Sequence, residues 1–498
     1  MTCRQSRTCM RWAVGLLLCL GLAWPSPAAA GARFEGLAAY KTAADTTWDM
    51  AHEKVWSNVL YGYAAASASW GFDYAGFVSA AFEYRLEHGE ETDGEFIPEL
   101  RELYGKFRIG PFDLFVGQQI TSWAVADMLS LHDQLNPYDY RRVLDQEVSL
   151  SRLGTPMIRP VVYLGPVQLE AAFMPLFTTP RYSVVGGDFA AVGHEFPVDI
   201  VLNALRQDEG WRRFERSMVF YLPEWSDEIH DMLSDPEYWE TRTEIPDQDI
   251  TAPEVAARLR YTSPAIDLQA TYFYLWDDIP TLHLNPHLRD LENLLVRDEN
   301  GLREPPDLSQ DTLRALKDPA ALVHHRTPSA GLGLSTRVWD ISFQAEGLYE
   351  WRRHTYRNDL WSVTRDQASW LANVEYTFEY DILVKGMLLE RYIVDREDDF
   401  WERGWTHILG VALRKPFLDE KLMLEALAIW DLTELNGKNW RSGDWFAAGW
   451  SVNPMLTWSA TDRLKVSASA NLIGGNDDTL VGFREGESRV GLSARYGF

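Results

Sequence analysis

Cysteine is nearly absent from this chain of 498 residues: it has three, and all lie within the first 19 positions. That segment starts with arginines, continues with an apolar stretch over 12–24, and closes with small residues and prolines over 25–30. This layout predicts a secretory signal peptide, residues 1–30. The alternative, a membrane anchor, is less favoured because the apolar stretch is shorter than the roughly 20 residues a spanning helix needs. Residues 31–498 then use neither disulfides nor thiol chemistry.

Long apolar runs and positive charge are also scarce. After residue 30 no apolar run approaches the roughly 18 residues typical of a membrane helix, so we expect no transmembrane helix. Asp and Glu together number 73 against 47 Lys and Arg, which gives a formal net charge of −26. Nucleic-acid phosphates are bound by basic excess, so we expect no nucleic-acid partner.

Catalytic and metal-binding motifs are missing as well. The sequence contains no Gly-x-Ser-x-Gly, no His-Glu-x-x-His and no phosphate-binding glycine loop, so we expect no enzyme activity and no cofactor. His324 and His325 are adjacent, which could suggest a metal site. Adjacent residues on a strand point to opposite faces, however, so we expect a loop pair without partners and no metal site.

What the sequence does contain is strand-period alternation of apolar and polar residues. It is clear over 341–351, 370–379 and 464–472. In a soluble sandwich the apolar face would be buried, whereas in a transmembrane barrel it meets lipid and the polar face lines the lumen. Aromatic residues such as Trp351 and Phe378 stand near the ends of apolar faces, as interfacial girdles require, and this favours the barrel.

The connections between the alternating stretches are short and long in turn, as in an outer-membrane barrel. We therefore predict an all-β fold, a transmembrane antiparallel β-barrel of 18 strands with short periplasmic turns and long extracellular loops. If the run over 33–70 is instead a periplasmic or luminal helix, 16 strands remain. The predicted short turns lie at 110–111, 165–166, 263–266, 339–340, 380–381, 418–420 and 460–462.

Two of the predicted loops, 178–253 and 285–328, are much longer than the others. Helix formers over 198–206 and 312–318 predict short helices within them. Loops of this length are usually functional or disordered. Such a loop either folds into the lumen and narrows a pore or forms an external cap, and the sequence leaves both alternatives open.

The chain ends on an alternating strand whose last residue is Phe498. This ending resembles the signal read by the barrel-insertion machinery of Gram-negative bacteria. The resemblance implies that machinery as a partner and the outer membrane of a Gram-negative bacterium as the location. Outer-membrane lipid and lipopolysaccharide would then surround the barrel.

The alternation also predicts which charged side chains face the lumen. Charges of both signs across a water-filled constriction create a transverse field that favours polar solutes. An excess of glutamates among them indicates a cation-tolerant pore. The predicted pore-lining residues are Glu170, Arg258, Arg260, Arg337, Glu346, Glu350, Arg352, Glu375, Glu379, Glu425 and Lys465.

Residues 97–180 carry a more specific pattern. Leu-Arg-Glu-Leu-Tyr-Gly-Lys-Phe-Arg-Ile-Gly-Pro-Phe-Asp-Leu-Phe-Val-Gly-Gln-Gln over 100–119 is followed by a Trp, an Ala-Asp pair, and Leu-Asn-Pro-Tyr-Asp-Tyr-Arg over 135–141. This resembles a largely uncharacterised family of porin-like Gram-negative barrels related to the alginate-export type. Gln118 and Ala124 stand where that family usually has a basic residue and a glycine. The resemblance implies a buried loop anchor formed by Gln119, Trp123, Asp127, Asn136, Pro137, Asp139 and Arg141.

Together these features favour a passive channel for small polar solutes. The alternative is a substrate-specific outer-membrane transporter or exporter for a polysaccharide, a siderophore or a hydrophobic compound. An energised receptor would need a large plug domain before the first strand, and strand-like alternation by about residue 74 leaves no space for it. An adhesion or structural barrel is a third hypothesis.

Overall fold

The structure is a computed structural model. Two expectations fall outside the residues that it describes: the predicted signal peptide, 1–30, and most of the predicted helices over 198–206 and 312–318. No helix among the described residues is long and apolar enough to cross a membrane. The described residues are 31–45, 56–71, 73–88, 92–140, 151–182, 236–247, 250–289, 310–311, 314, 318–357, 361–397, 400, 404–433, 449–475, 479, 481 and 488–498.

The described chain is built almost entirely from antiparallel strands. In chain order the strands are β1 (Arg33–Asp45), β2 (Trp56–Trp70), β3 (Tyr74–His88), β4 (Thr92–Ile109), β5 (Phe112–Gln119), β6 (Thr155–Leu164), β7 (Val167–Met174), β8 (Thr243–Glu244), β9 (Glu254–Thr262), β10 (Ile266–Trp276), β11 (Thr281–Leu284), β12 (Ala320–Val323), β13 (Arg326–Val338), β14 (Ile341–Tyr356), β15 (Ser362–Phe378), β16 (Ile382–Ile393), β17 (Trp405–Phe417), β18 (Leu422–Asp431), β19 (Gly449–Ser459), β20 (Leu464–Gly474) and β21 (Arg489–Gly497).

All of these strands except β8, β11 and β12 form one closed barrel of 18 strands. The barrel closes because β1 pairs with β2 on one side and with β21 on the other, so that Lys41 lies opposite both Val59 and Ser493. The predicted 18-stranded antiparallel barrel is confirmed. The 16-strand alternative is wrong, because the run over 33–70 supplies the hairpin that completes the circle.

One end of the barrel carries only tight turns, at each of the predicted positions, and is called the short-turn end below. Gly110 and Gly165 occupy the left-handed region with φ of 59° and 62°, which glycine adopts without steric cost. Trp339 and Tyr380 take similar φ values of 55° and 64° in equivalent turns. The opposite end, where the strands run into longer connections, is the long-loop end.

The outer face of the barrel is an apolar belt bounded by aromatic residues. Leu332 and Leu492 in the middle of the belt are 70% and 57% exposed. A continuous apolar surface bounded by aromatic rings is the surface that a barrel presents to a bilayer. Exposed aromatic residues at the short-turn end include Tyr74, Phe107, Tyr163, Tyr261, Trp339, Tyr376, Phe378, Tyr380, Phe417, Trp458, Tyr496 and Phe498, and those toward the long-loop end include Trp56, Tyr84, Trp351 and Trp405.

A small sheet of β8, β11 and β12, called the cap sheet below, stands at the long-loop end. β11 pairs with β12 antiparallel, and β12 pairs with β8 in parallel. Helix α1 (Pro236–Thr241) precedes β8, and a 3-10 turn (Pro286–Arg289) follows β11. The main-chain N–H of Leu282 donates to the hydroxyl of Tyr356 at 2.5 Å, which fastens the cap sheet to the end of β14.

Candidate functional site

The connection that leaves β5, residues 120–140, folds into the barrel and is called the inner loop. Its Trp123 is fully buried and packs against Phe273 of β10, with ring centroids 5.6 Å apart. Further along the loop, Ala126 packs with Leu371 of β15 and Met387 of β16. These partners face the same side of the wall, away from the apolar belt. The inner loop therefore lies against the inner wall and narrows the lumen.

Glu346 of β14 holds the middle of the inner loop. Its two carboxylate oxygens sit in a cluster of loop donors, most of them main-chain groups, and the carboxylate itself is buried. A carboxylate that accepts several main-chain N–H bonds binds them as a charge-assisted network. The donors are the main-chain N–H groups of Val125, Ala126, Leu131 and His132, at 2.5–3.3 Å, and the hydroxyl of Ser130 at 2.8 Å.

Glu170 of β7 holds the beginning of the inner loop through side chains. The indole N–H of Trp123 donates to its Oε1 at 2.9 Å, and Arg159 of β6 donates to the same oxygen at 2.8 Å. Arg258 of β9 donates to Oε2, and its guanidinium lies over the Trp123 ring, 5.1 Å from the centroid. Because the Glu170 side chain is fully buried, it depends on these cations for compensation.

The base of the inner loop is closed by Asn136, which is buried. Its Oδ1 accepts the main-chain N–H of Thr121 at 2.8 Å, and its Nδ2 donates to the carbonyls of Gln119 and Leu153 at 2.8 and 2.9 Å. The Pro137 carbonyl accepts the N–H of Leu153 at 2.8 Å. The side chain thus bridges both ends of the loop through partners 15 and 17 residues away along the chain.

Other anchor residues have different partners. The Gln119 side chain donates to the Met157 carbonyl at 3.1 Å and accepts from Arg159. Asp139 is buried and lies 3.7 Å from the guanidinium of Arg181. Arg141, which the resemblance included in the loop anchor, lies outside the described residues.

Asp127, at the exposed tip of the loop, faces an ion-pair cluster on the wall. Its carboxylate pairs with the ammonium of Lys385 on β16, which also pairs with Glu375 on β15 at 2.7 Å. Asp127 is 45% exposed and Glu375 is 36% exposed, so this cluster is in contact with solvent inside the barrel. This exposed cluster thus differs from the buried contacts that Glu346 and Glu170 make with the same loop.

The remaining predicted pore-lining residues mostly occupy the inner face. Glu350 accepts from Arg353 at 2.6 Å and from Gln367 at 2.7 Å. Arg260 pairs with Asp267 at 3.1 Å, and Glu425 lies 3.8 Å from Arg414. Arg337 lies opposite Ser342 on the neighbouring strand, and Lys465 lies opposite Ser459.

Two predicted pore-lining residues are not on that face, and both placements correct the expectation. A β-bulge between Glu350 and Arg353 breaks the alternation, so Arg352 takes a φ of 55° and Arg353 carries the inward charge. Glu379 lies in the 3-10 turn Glu379–Asp381, exposed at the short-turn end, because β15 ends at Phe378. A regular alternation of inward and outward residues predicts neither the bulge at Arg352 nor the end of the strand before Glu379.

Several residues of the site were not predicted. Arg159, Lys385 and Arg414 lie on the inner face and share the alternation of their strands, so the period-two signal could have identified them. His132 gave no such signal. Its Nε2 lies 3.1 Å from the Gly347 carbonyl and its Nδ1 lies 3.2 Å from the side-chain nitrogen of Gln269, so the ring contacts two strands of the wall.

Comparison with known proteins gives similarity in structure only. No family model matches the chain, and no curated protein matches it. Among solved structures, the chain is similar to the outer-membrane porins OccK8 (OprE) and OccK7 (OpdD) of Pseudomonas aeruginosa and OmpF of Salmonella typhi in a complex with daunomycin. OccK8 is 7% identical with a TM-score of 0.48, and the match covers 94% of this chain and 98% of that one. OccK7 is 9% identical with a TM-score of 0.47, and the match covers 95% and 99%. OmpF is 10% identical with a TM-score of 0.39, and the match covers 94% and 97%. The barrel architecture itself rests on the strand pairing described above.

Proposed function

We propose that this protein is a porin-like channel through which small polar solutes diffuse passively across the outer membrane of a Gram-negative bacterium. The observation that carries the proposal is the presence of solvent-exposed ionised groups on the inner face of a closed barrel. Arg414 and Glu425 there are 56% and 40% exposed, and Asp127 is 45% exposed. Because a charged side chain away from water is costly unless it is paired, these exposed charges indicate that water fills the space inside the barrel.

The outer surface supports the membrane part of the proposal. The apolar belt and the aromatic residues at both of its edges match the lipid-facing surface of an outer-membrane barrel. The long-loop end would face the outside, with lipopolysaccharide around it, and the short-turn end the periplasm. The relation of residues 97–180 to alginate-export barrels stays a prediction, as does the signal peptide.

The position of the inner loop supports the proposal that the solutes are small and polar. Because Glu346 and Glu170 fix it against the wall, the loop narrows the lumen without depending on a bound partner. The narrowed part presents the ion-pair cluster of Asp127, Lys385 and Glu375, which favours polar over apolar solutes. No catalytic step is part of the proposal.

Planar-bilayer conductance of the folded, tag-free protein tests the proposal. We expect ion-conducting steps with mixed selectivity. Lys385→Met leaves two carboxylates uncompensated, so the cation-over-anion permeability ratio should rise by roughly twofold or more. Asp127→Asn should change the ratio in the opposite direction.

The matched control is Lys421→Met, which removes an exposed lysine in the turn before β18 at the short-turn end. It should shift the ratio much less than Lys385→Met does. Folded protein that gives no conductance would exclude a channel. Equal shifts from the two lysine variants would show that the inner-loop cluster does not line the conducting path.

The interaction with the barrel-insertion machinery is a separate part of the proposal. Phe498 closes the barrel seam, with its N–H donating to the Gly36 carbonyl and its own carbonyl accepting from Gly36, both at 3.0 Å. Phe498→Ala retains those main-chain bonds and removes only the terminal ring. Slower insertion into membranes containing the machinery, with unchanged spontaneous insertion into lipid vesicles, is the expected result.

A further inference from the structure

Three histidines from separate parts of the chain converge at the long-loop end of the barrel. His283 lies in β11 of the cap sheet, His325 immediately precedes β13, and His354 lies near the end of β14. One ring nitrogen from each lies within 4.8 Å of the others. The sequence predicted that His325 would be a loop histidine without partners, and the structure instead gives it two.

The contacts within this histidine cluster are close. The Nε2 atoms of His283 and His325 are 2.7 Å apart, so one nitrogen must donate a proton that the other accepts. The rings of His325 and His354 stack, with centroids 3.5 Å apart and an angle of 11° between planes. Three charged imidazoliums this close would repel one another strongly, so the arrangement disfavours full protonation of the cluster.

The third histidine is held by a hydrogen bond of the kind found around metal sites. Nδ1 of His354 lies 2.8 Å from the hydroxyl of Ser362, which orients the ring and leaves Nε2 as its free nitrogen. Metal-binding histidines usually have their second ring nitrogen fixed in this way. His324, by contrast, has its Nδ1 2.7 Å from the Asp277 carbonyl and packs on Phe177, away from the cluster.

We propose that His283, His325 and His354 together bind one borderline divalent cation, such as Zn²⁺, Ni²⁺ or Cu²⁺. Three imidazole ligands suit these ions rather than Ca²⁺ or Mg²⁺, and a fourth position stays open to water. Nitrogens around a tetrahedral zinc ion lie about 3.4 Å apart. Because the His325 and His354 rings are stacked with their planes 11° apart, at least one ring must turn before both lone pairs point to one ion.

The ion would connect the cap sheet to the barrel wall. β11 already contacts the end of β14 through the Leu282 N–H and the Tyr356 hydroxyl. A metal held jointly by β11 and β14 adds coordinate bonds across the same junction. Binding does not depend on whether the barrel conducts solutes.

Cobalt is the probe for the test, because tetrahedral Co²⁺ gives a visible absorption band. Tag-free protein in detergent, freed of metal, should bind one Co²⁺ per chain, and Zn²⁺ should displace it. His283→Gln, His325→Gln and His354→Gln should each weaken Co²⁺ binding by at least about tenfold. The matched control is His287→Gln, an exposed histidine just beyond β11, and its affinity should equal that of the unaltered chain.

Two further measurements keep the test informative if a variant folds poorly. Ser362→Ala leaves all three ligands in place and should weaken binding by several-fold. In the unaltered protein, Zn²⁺ should protect these three histidines, but not His287, from diethylpyrocarbonate. No Co²⁺ band, unprotected histidines in the presence of Zn²⁺, or equal weakening in His287→Gln would overturn the proposal.

Discussion

The inner loop is held at two places by a buried glutamate, and the two glutamates use different kinds of donor. Glu170 is compensated by side chains: two guanidinium groups from neighbouring strands and one indole from the loop. Glu346 is compensated mainly by main-chain N–H groups of the loop itself. Both carboxylates belong to strands of the barrel wall, and both accept hydrogen bonds from the inner loop.

The difference shows which anchor fixes the shape of the loop. A guanidinium on a long side chain can turn toward luminal water when its partner is lost. A main-chain N–H cannot turn without refolding the backbone around it, so each such donor left unpaired inside the protein is costly. Glu346 therefore determines the path of the loop, while Glu170 fixes where it starts.

Removal of Glu346 should have the largest effect. Glu346→Ala leaves three main-chain N–H groups and one hydroxyl without their acceptor, while the N–H of His132 keeps only the Ser130 hydroxyl oxygen. We expect the free energy of unfolding in urea to fall by about 4 kcal/mol. The single-channel conductance should also rise, because the loop is released from the wall.

Glu379→Ala is the control for that prediction, since Glu379 is exposed in a turn. It should change neither quantity. An unchanged conductance in folded Glu346→Ala would mean that the inner loop does not restrict the conducting path.

Removal of the Glu170 charge should have a smaller effect. Glu170→Gln leaves Arg159 and Arg258 uncompensated, but both guanidiniums can shift toward luminal water. We expect a loss of about 2 kcal/mol in the free energy of unfolding and a conductance closer to that of the unaltered protein. A loss equal to that of Glu346→Ala would remove the distinction between side-chain and main-chain anchoring.

Trp123→Phe isolates the single hydrogen bond between the loop and Glu170. The ring stays available for packing against Phe273, and only the indole N–H at 2.9 Å is lost. A loss of about 1 kcal/mol in the free energy of unfolding is expected. The double variant with Glu170→Gln should lose less than the sum of the single losses, because both remove the same bond.

A third carboxylate, Asp278 after β10, has neither cations nor main-chain donors among its described contacts. It accepts one hydrogen bond, from the Tyr140 hydroxyl at 3.3 Å. Asp278 retains some solvent contact, but the surrounding protein desolvates it, and together with the charge of Glu254 this raises the pKa of Asp278 to about 8. It shows what happens to a carboxylate without the anchoring seen at Glu170 and Glu346.

A further prediction concerns the pH dependence that Asp278 causes. Its ordinary pKa is 3.8, so the folded protein holds a proton that the unfolded chain releases. The folded state is then stabilised at low pH, and that stabilisation is lost as pH rises toward about 8. The unfolding free energy of the unaltered protein, relative to Asp278→Asn, should fall between pH 5 and pH 8. A difference that is constant over that range would contradict the raised pKa.

The sequence predicted the strands of the barrel wall much better than it predicted the side-chain contacts inside the barrel. Alternation and tight turns predicted the barrel strands, with the run over 33–70 left open between hairpin and helix, because each strand's period of two is a local property of the chain. Local pattern also identified Glu170 and Glu346 as inward residues, and the family resemblance implied Asn136 and Pro137 as part of a buried loop anchor. It missed the bulge that moves Arg352 off the inner face, because one extra residue in a strand leaves no mark on composition.

The partners of those residues could not be predicted. Glu346 binds groups 214–221 residues away along the chain, and most of them are main-chain groups, which every residue type possesses. The histidine cluster joins positions 283, 325 and 354 only because the cap sheet folds back onto β14. In both cases the meeting point depends on strand register, and long connections leave register unspecified.

By itself, then, the sequence predicted an 18-stranded barrel with an apolar outer face and a charged inner face, since hydrophobic alternation and turn residues act over a few positions. Only the tertiary structure decided that residues 120–140 lie inside the barrel, that Glu346 holds them by main-chain N–H groups, and that three distant histidines meet at the long-loop end. The physical reason is that buried polar groups must find partners wherever closure of the barrel brings donors and acceptors together.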